Sequence, residues 1–239
     1  MTIAPLHYLT IGEASSLIVN REISPVELTK AFLDRIDSLD SKLHAYITVT
    51  TEFALRQARI AEAEILQGEY RGPMHGIPIA LKDLYGTRGI RTTAHSHILK
   101  NWIPDEDATV ITNLKSNGAI LLGKLNMSEY ASGDAFHHPY GRPKNPWDLS
   151  RNPGTSSSGS GAATAACLCS TSLGEDTGGS DTGEGDTGGG TSSNQDPGVA
   201  SVSYLSLNSG DDMLYAEIRD PFNANIILIQ GFQTAFMNS

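Results

Sequence analysis

Two short apolar runs, IPIAL at residues 77–81 and AILL at 119–122, each follow a segment of helical periodicity. That alternation restricts the fold more than any other feature of the chain. Short apolar runs bounded by Gly and Pro read as strands buried on both faces. The segments between them read as helices. In ISPVELTKAFLDRIDSLD, Ser24 is placed as N-cap, Pro25 at the first helical position and Glu27 three residues after the cap, a capping box leading into apolar residues at helical spacing. TEFALRQARIAEAEILQGEY gathers Phe53, Leu55, Ala58, Ile60, Ala61 and Ile65 toward one face and closes near Gly68. DATVITNLKSNG ends on Gly118, a natural helix stop. An Ala-rich stretch downstream of residue 158 suits a closely packed fourth helix. The spacing predicts helices near 25–39, 51–67, 107–117 and 159–169, and strands near 77–82 and 119–123. Helices alternating with two-sided strands make an α/β fold, a sheet covered by helices on both faces.

Composition narrows the function classes. A chain of 239 residues with 39% hydrophobic residues can bury a full core. Its longest apolar runs, such as NIILI at 225–229, fall far short of the roughly 18 residues that span a bilayer. The N-terminus has no basic segment followed by an apolar one, so no membrane or secretory route is expected and the chain reads as cytoplasmic. Cys167 and Cys169, the only cysteines, sit in an Ala-rich run at a spacing that suits neither a disulfide framework nor a zinc site. No metal and no cofactor is expected. Sixteen of the 17 basic residues precede residue 152, whereas ten of the 27 acids follow it. An acidic second half argues against direct nucleic-acid binding, which needs a basic footprint.

Two features carry chemistry. Lys82 ends the apolar run IPIAL, where it is either a solvated charge at a strand end or a desolvated amine able to act as a neutral base. The stretch NPGTSSSGSGAATAACLCSTSLGEDTGGS, residues 152–180, combines a Ser/Gly loop rich in free backbone N–H groups with the Ala-rich helix. By composition it reads either as a flexible linker or as an anion-favouring loop opening a helix.

Together these residues resemble the amidase signature family of serine hydrolases. Its core motif is similar to P-G-G-S-S-G-G-S-A-A-A followed by a helix and then G-T-D-T-G-G-S; here the matching segments are PGTSSSGSGAA and GEDTGGS. The likeness runs upstream through GPMHGIPIALKDL, LLGKLNMSEYASG and NPWDLSRNPG, so that it covers about residues 8–180. It implies a mixed β-sheet core and a small-molecule amide substrate. The catalytic residues it implies are Ser180 as nucleophile, Ser156 as bridging serine and Lys82 as base. A peptide bond flanking Ser156 would be cis. The backbone N–H groups of Thr177, Gly178 and Gly179, with that of Ser180, would form the oxyanion hole, with Asp176 and Ser157 in support. A serine hydroxyl must lose its proton as it attacks an amide carbonyl, and a neutral lysine acting through a second serine can take it. His75, His137 and His138 fall outside this scheme.

The resemblance stops after Ser180. The segment SDTGEGDTGGGTSSNQDPG repeats Asp-Thr-Gly, and nine glycines within 174–198 favour a flexible segment. Residues 201–239 read as two or three strands of no alignable kind. Thr155 stands where the motif has Gly, and Glu175 where it has Thr. The expected organisation is therefore the N-terminal half of an amidase-signature domain at 1–180, a Gly/Asp-rich segment at 181–200 and a divergent β-like tail at 201–239. A sheet truncated in this way would expose an unpaired edge and admit water to Lys82, keeping the amine charged. Three functions follow: an amide hydrolase, the ammonia-releasing member of an amidotransferase that draws on glutamine beside partner subunits, and a non-catalytic fragment. The exposed edge adds association into a homo-oligomer.

Overall fold

The computed structural model describes residues 5–132, 138–154 and 156–175, and beyond them the backbone of 202–204, 213–219 and 225–231. Among the described residues, five α-helices, α1 (Ile11–Val19), α2 (Pro25–Leu43), α3 (Thr51–Leu66), α4 (Thr109–Ser116) and α5 (Ser158–Ala165), accompany seven strands. The strands are β1 (Tyr46–Val49), β2 (Pro78–Lys82), β3 (Ile120–Leu125), β4 (Thr171–Glu175), β5 (Val202–Tyr204), β6 (Met213–Arg219) and β7 (Asn225–Gly231). They form one mixed sheet in the order β1-β3-β2-β4-β7-β6-β5. At its centre β2 runs parallel to both β3 and β4, while β1 joins β3 and β7 joins β4 antiparallel.

The expected α/β architecture is present, and burial explains it. Every residue of β2 and β3 is buried. Successive strand residues point to opposite faces, so both faces of the sheet centre are covered. The core joins Leu28, Phe32 and Ile36 of α2 and Ala54, Ala58 and Ile65 of α3 to Ile79, Leu81, Ile120 and Leu122 of the sheet.

Local signals account for the helix starts. Ser24 Oγ accepts from Glu27 N–H at 3.0 Å while the Glu27 carboxylate accepts from Ser24 N–H at 2.8 Å, so the predicted capping box is formed. Thr10 and Glu13 repeat the device at the start of α1, a helix absent from the expectations above. Two predicted helices differ in length. α2 continues four residues beyond 39, to a left-handed His44 at φ 53°. α5 ends at Ala165 rather than near 169, because Cys167 takes φ 55° and turns the chain toward β4.

The exposed edge expected beside the site is corrected. β7 pairs with β4 along Ser172–Glu175, so β4 lies inside the sheet, whose outermost described strands are β1 and β5. Among the described residues no helix is long and apolar enough to cross a membrane.

Candidate functional site

Register decides what Lys82 meets. In β2, Ala80 pairs with Ser172 and Leu81 with both Leu173 and Lys124, while Lys82 pairs with Leu125. Ser172 Oγ bonds Thr164 Oγ1 of α5 at 2.9 Å, so Ala80, Ser172 and Lys82 share the face that carries α5. Leu81 and Lys124 point the other way. Lys82 is therefore an ionisable side chain driven into the α5 side of the sheet, with no exposed surface. Of its two sequence readings the solvated one is excluded. The expected entry of water to Lys82 is corrected with it.

The start of α5 delivers the serines. Gly159 donates its N–H to Asn126 O at 2.9 Å, and a Cβ there would fall inside contact distance of the Asn126 and Ala45 backbone. Only a glycine lets the helix lie this close to the end of β3. Ser156 and Ser157, just ahead of it, reach the last residue of β4. Ser157 Oγ donates to Glu175 O at 2.9 Å and accepts from Glu175 N–H at 3.2 Å. Ser156 Oγ points to the same carbonyl at 3.5 Å, and Lys82 Nζ donates to it at 3.0 Å. Three of the residues singled out in the sequence thus converge on one oxygen atom. The others, Asp176, Thr177, Gly178, Gly179 and Ser180, lie outside the described residues, as does the Gly/Asp-rich segment 181–200. Among the described residues no peptide bond is cis, so the Ser156–Ser157 bond is trans; the bond from Thr155 is outside them.

Sequence reasoning missed two partners. Glu175 places its carboxylate 3.1 Å from Lys82 Nζ, and the exchange of the motif's Thr for Glu was the available signal. On the opposite face Lys124 is also fully buried, 3.3 Å from Asp83 Oδ1, and donates to Tyr85 O and Thr92 Oγ1 at 2.7 Å each. Burial pulls the Lys124 amine down to about 8, against the pull of Asp83. Asp83 Oδ2 accepts from Thr93 N–H at 2.8 Å and Thr93 Oγ1 at 2.5 Å. The residue after Lys82 is therefore anchored from the far side of the sheet. GKLN, in the run read only as a buried strand, held that second lysine in plain view.

Other groups singled out have structural surroundings, while His137 lies outside the described residues. His75 is buried, with Nε2 at 3.0 Å from Glu64 Oε2. Cys167 and Cys169 are buried, and burial pushes their thiols up to about 11 and about 12.

The family model that matches the chain is Amidase, over residues 27–180. The A component of the glutamyl-tRNA(Gln) amidotransferase of Desulfatibacillum aliphaticivorans is 49% identical over 175 residues, covering 73% of this chain and 36% of that protein. Its counterpart from Geobacter sp. (strain M21) is 50% identical over 172 residues, covering 72% and 35%. Among solved structures, the native peptide amidase from Stenotrophomonas maltophilia superposes with a TM-score of 0.68 at 35% identity, covering 72% of this chain and 37% of that one. The chain thus spans about a third of the length of the relatives it matches.

Proposed function

The chain belongs to the amidase family, and from that premise we propose that it carries part of an amide-hydrolysing site with Lys82 as base, Ser156 as proton bridge and Ser180 as nucleophile. One observation carries the reading. A strand-end lysine with no exposed surface shares the Glu175 carbonyl with the serines that open α5. Burying an amine costs free energy that packing alone does not return, and such groups concentrate at functional sites.

In the proposed reaction the Ser180 oxygen bonds the substrate's carbonyl carbon while its proton passes through the Ser156 hydroxyl to a neutral Lys82 amine. The carbonyl oxygen becomes an oxyanion, held by the backbone N–H groups of Thr177, Gly178, Gly179 and Ser180, with Asp176 bracing the turn. The C–N bond then breaks, and the proton held by Lys82 returns through Ser156 to the departing nitrogen. Water attacks the acyl-enzyme by the same route and frees the carboxylic acid and Ser180. Ser157 does not exchange protons in this scheme; its two bonds to Glu175 clamp β4 to α5 and keep Ser156 in place.

The test is amide turnover and fluorophosphonate labelling of the wild-type chain beside Ser180→Ala and Lys82→Ala. Weak turnover and labelling in the wild type, with turnover lost in both variants, is the expected outcome. Equal background in all three would overturn the hydrolase reading and leave a non-catalytic amidase domain. A second reading is favoured by the 49% identity to a component of a tRNA amidotransferase. In it the same site releases ammonia from glutamine, and partner subunits supply the nucleic-acid contacts that an acidic chain of net charge −10 lacks. Glutaminase activity that appears only with partner subunits would distinguish it.

A further inference from the structure

Glu175 ends β4 at the position where the family motif carries Thr, and its side chain adds a charge that Thr could not. Its Oε2 lies 3.1 Å from Lys82 Nζ, while its main-chain carbonyl accepts from the same amine at 3.0 Å. Lys82 is fully buried, and the Glu175 side chain retains 15% of its exposure. Two influences therefore act on the amine in opposite directions. Removal from water favours its neutral form, and a carboxylate in contact favours the ammonium. Losing the proton would strand a mostly buried carboxylate without its counter-charge.

The described elements that neighbour the Lys82–Glu175 pair approach from four directions. β4 contributes Glu175. The loop opening α5 contributes the neutral hydroxyls of Ser156 and Ser157. From β3 come Leu125, in register with Lys82, and then Asn126, whose amide donates to His44 O and Gly141 O. After β2, Tyr85 donates its hydroxyl to Gly174 O, and burial, then the Glu175 charge, hold the phenol protonated. Asp83, next in sequence to Lys82, is matched across the sheet by Lys124.

We propose that Glu175 is a charge lock on the site, holding Lys82 as an ammonium ion and so withholding the base that a Ser156–Ser180 relay requires. The consequence for catalysis rests on the amide-hydrolase reading; the lock itself is a property of the Lys82–Glu175 pair. An ammonium has no lone pair with which to take the Ser156 proton. The water-filled edge expected from the sequence is not the means by which the charge is kept, since Lys82 has no exposed surface. A carboxylate supplied by the chain does it instead.

The experiment is an NMR titration of the full chain carrying 13C,15N-labelled lysine, with the Lys82 signal identified by its loss in Lys82→Arg. Wild type is compared with Glu175→Thr, which restores the motif residue, and Glu175→Gln, which keeps the shape. The expected result is a Lys82 midpoint above the roughly 10.4 of an unperturbed lysine in the wild type, falling by about 1 to 3 pH units in both variants. Midpoints within about 0.3 of the wild type in both variants, well inside that expected range, would overturn the lock. If the variants fail to fold, the wild-type chain still decides. Its two buried lysines are Lys82 and Lys124. With the lock, one of them stays an ammonium at about pH 9.5; without it, both are neutral there. Turnover is scored separately. A midpoint that falls with no amide cleavage in any variant sustains the lock and removes the hydrolase reading. A midpoint that falls together with a gain in turnover near pH 8 sustains both.

Discussion

Replacing Lys124 by Met removes one half of an ion pair whose two side chains are both 0% exposed. The methionine follows the lysine stem closely in length and flexibility, so the change in packing is small. What remains is the Asp83 carboxylate. Its Oδ2 keeps the two bonds from Thr93, but Oδ1 loses the amine 3.3 Å away, and the acceptors Tyr85 O and Thr92 Oγ1 lose donors at 2.7 Å. Breaking a buried pair from one side costs about 3 to 5 kcal/mol, because the surviving charge stays desolvated. We expect about 3 kcal/mol, the lower end, since Thr93 still donates two hydrogen bonds to the stranded carboxylate. That is a large share of the roughly 5 to 15 kcal/mol that typically holds a domain folded. Urea unfolding followed by fluorescence of Trp102 and Trp147 measures it. Adding Asp83→Asn to Lys124→Met removes the stranded charge, so the double variant should lose less than the two single losses added together. A single-variant cost under about 1 kcal/mol, or strictly additive losses, would refute the claim that the pair acts as a unit.

Two further outcomes follow from the same geometry. Gly159→Ala pushes a Cβ into the Asn126 and Ala45 backbone and should cost about 1 to 3 kcal/mol, read as a lower urea midpoint, while displacing Ser156 and Ser157 from the Glu175 carbonyl. The Lys124 amine titrates at about 8 in the fold against 10.5 for the free group, so between these values the unfolded chain binds the extra proton and stability contributed by Lys124 rises with pH. Unfolding free energies across that range should show the wild type gaining on Lys124→Met, and a flat or falling difference would contradict the assignment.

The elements that announce themselves in the sequence depend on neighbours along the chain. The capping box at Ser24 and Glu27, the helical period of α3 and the runs that become β2 and β3 need only residues a few positions apart, so they can be read before folding, although Ile60, expected on the apolar face of α3, is exposed and Ala54 is buried in that helix instead. The same local logic would have yielded α1 from Thr10 and Glu13. β4 escapes it. Thr171–Glu175 has no apolar run of its own and becomes a strand because β2 and β7 flank it with open hydrogen-bonding edges. That is a tertiary circumstance.

Site residues divide in the same way. Lys82, Ser156 and Ser157 stood out by residue type and motif, and the motif also pointed to Glu175 as a departure from Thr. Nothing in the sequence placed the Glu175 carboxylate on the Lys82 amine, since the two are 93 positions apart. Their contact exists because β2 and β4 pair in parallel with Leu81 opposite Leu173, bringing both strand ends to the same level. Gly159 then lets the start of α5 close over them. The order of residues determined which side chains this protein has available for chemistry. Strand register, which moves every side chain to the opposite face if it slips by one residue, determined which of them touch.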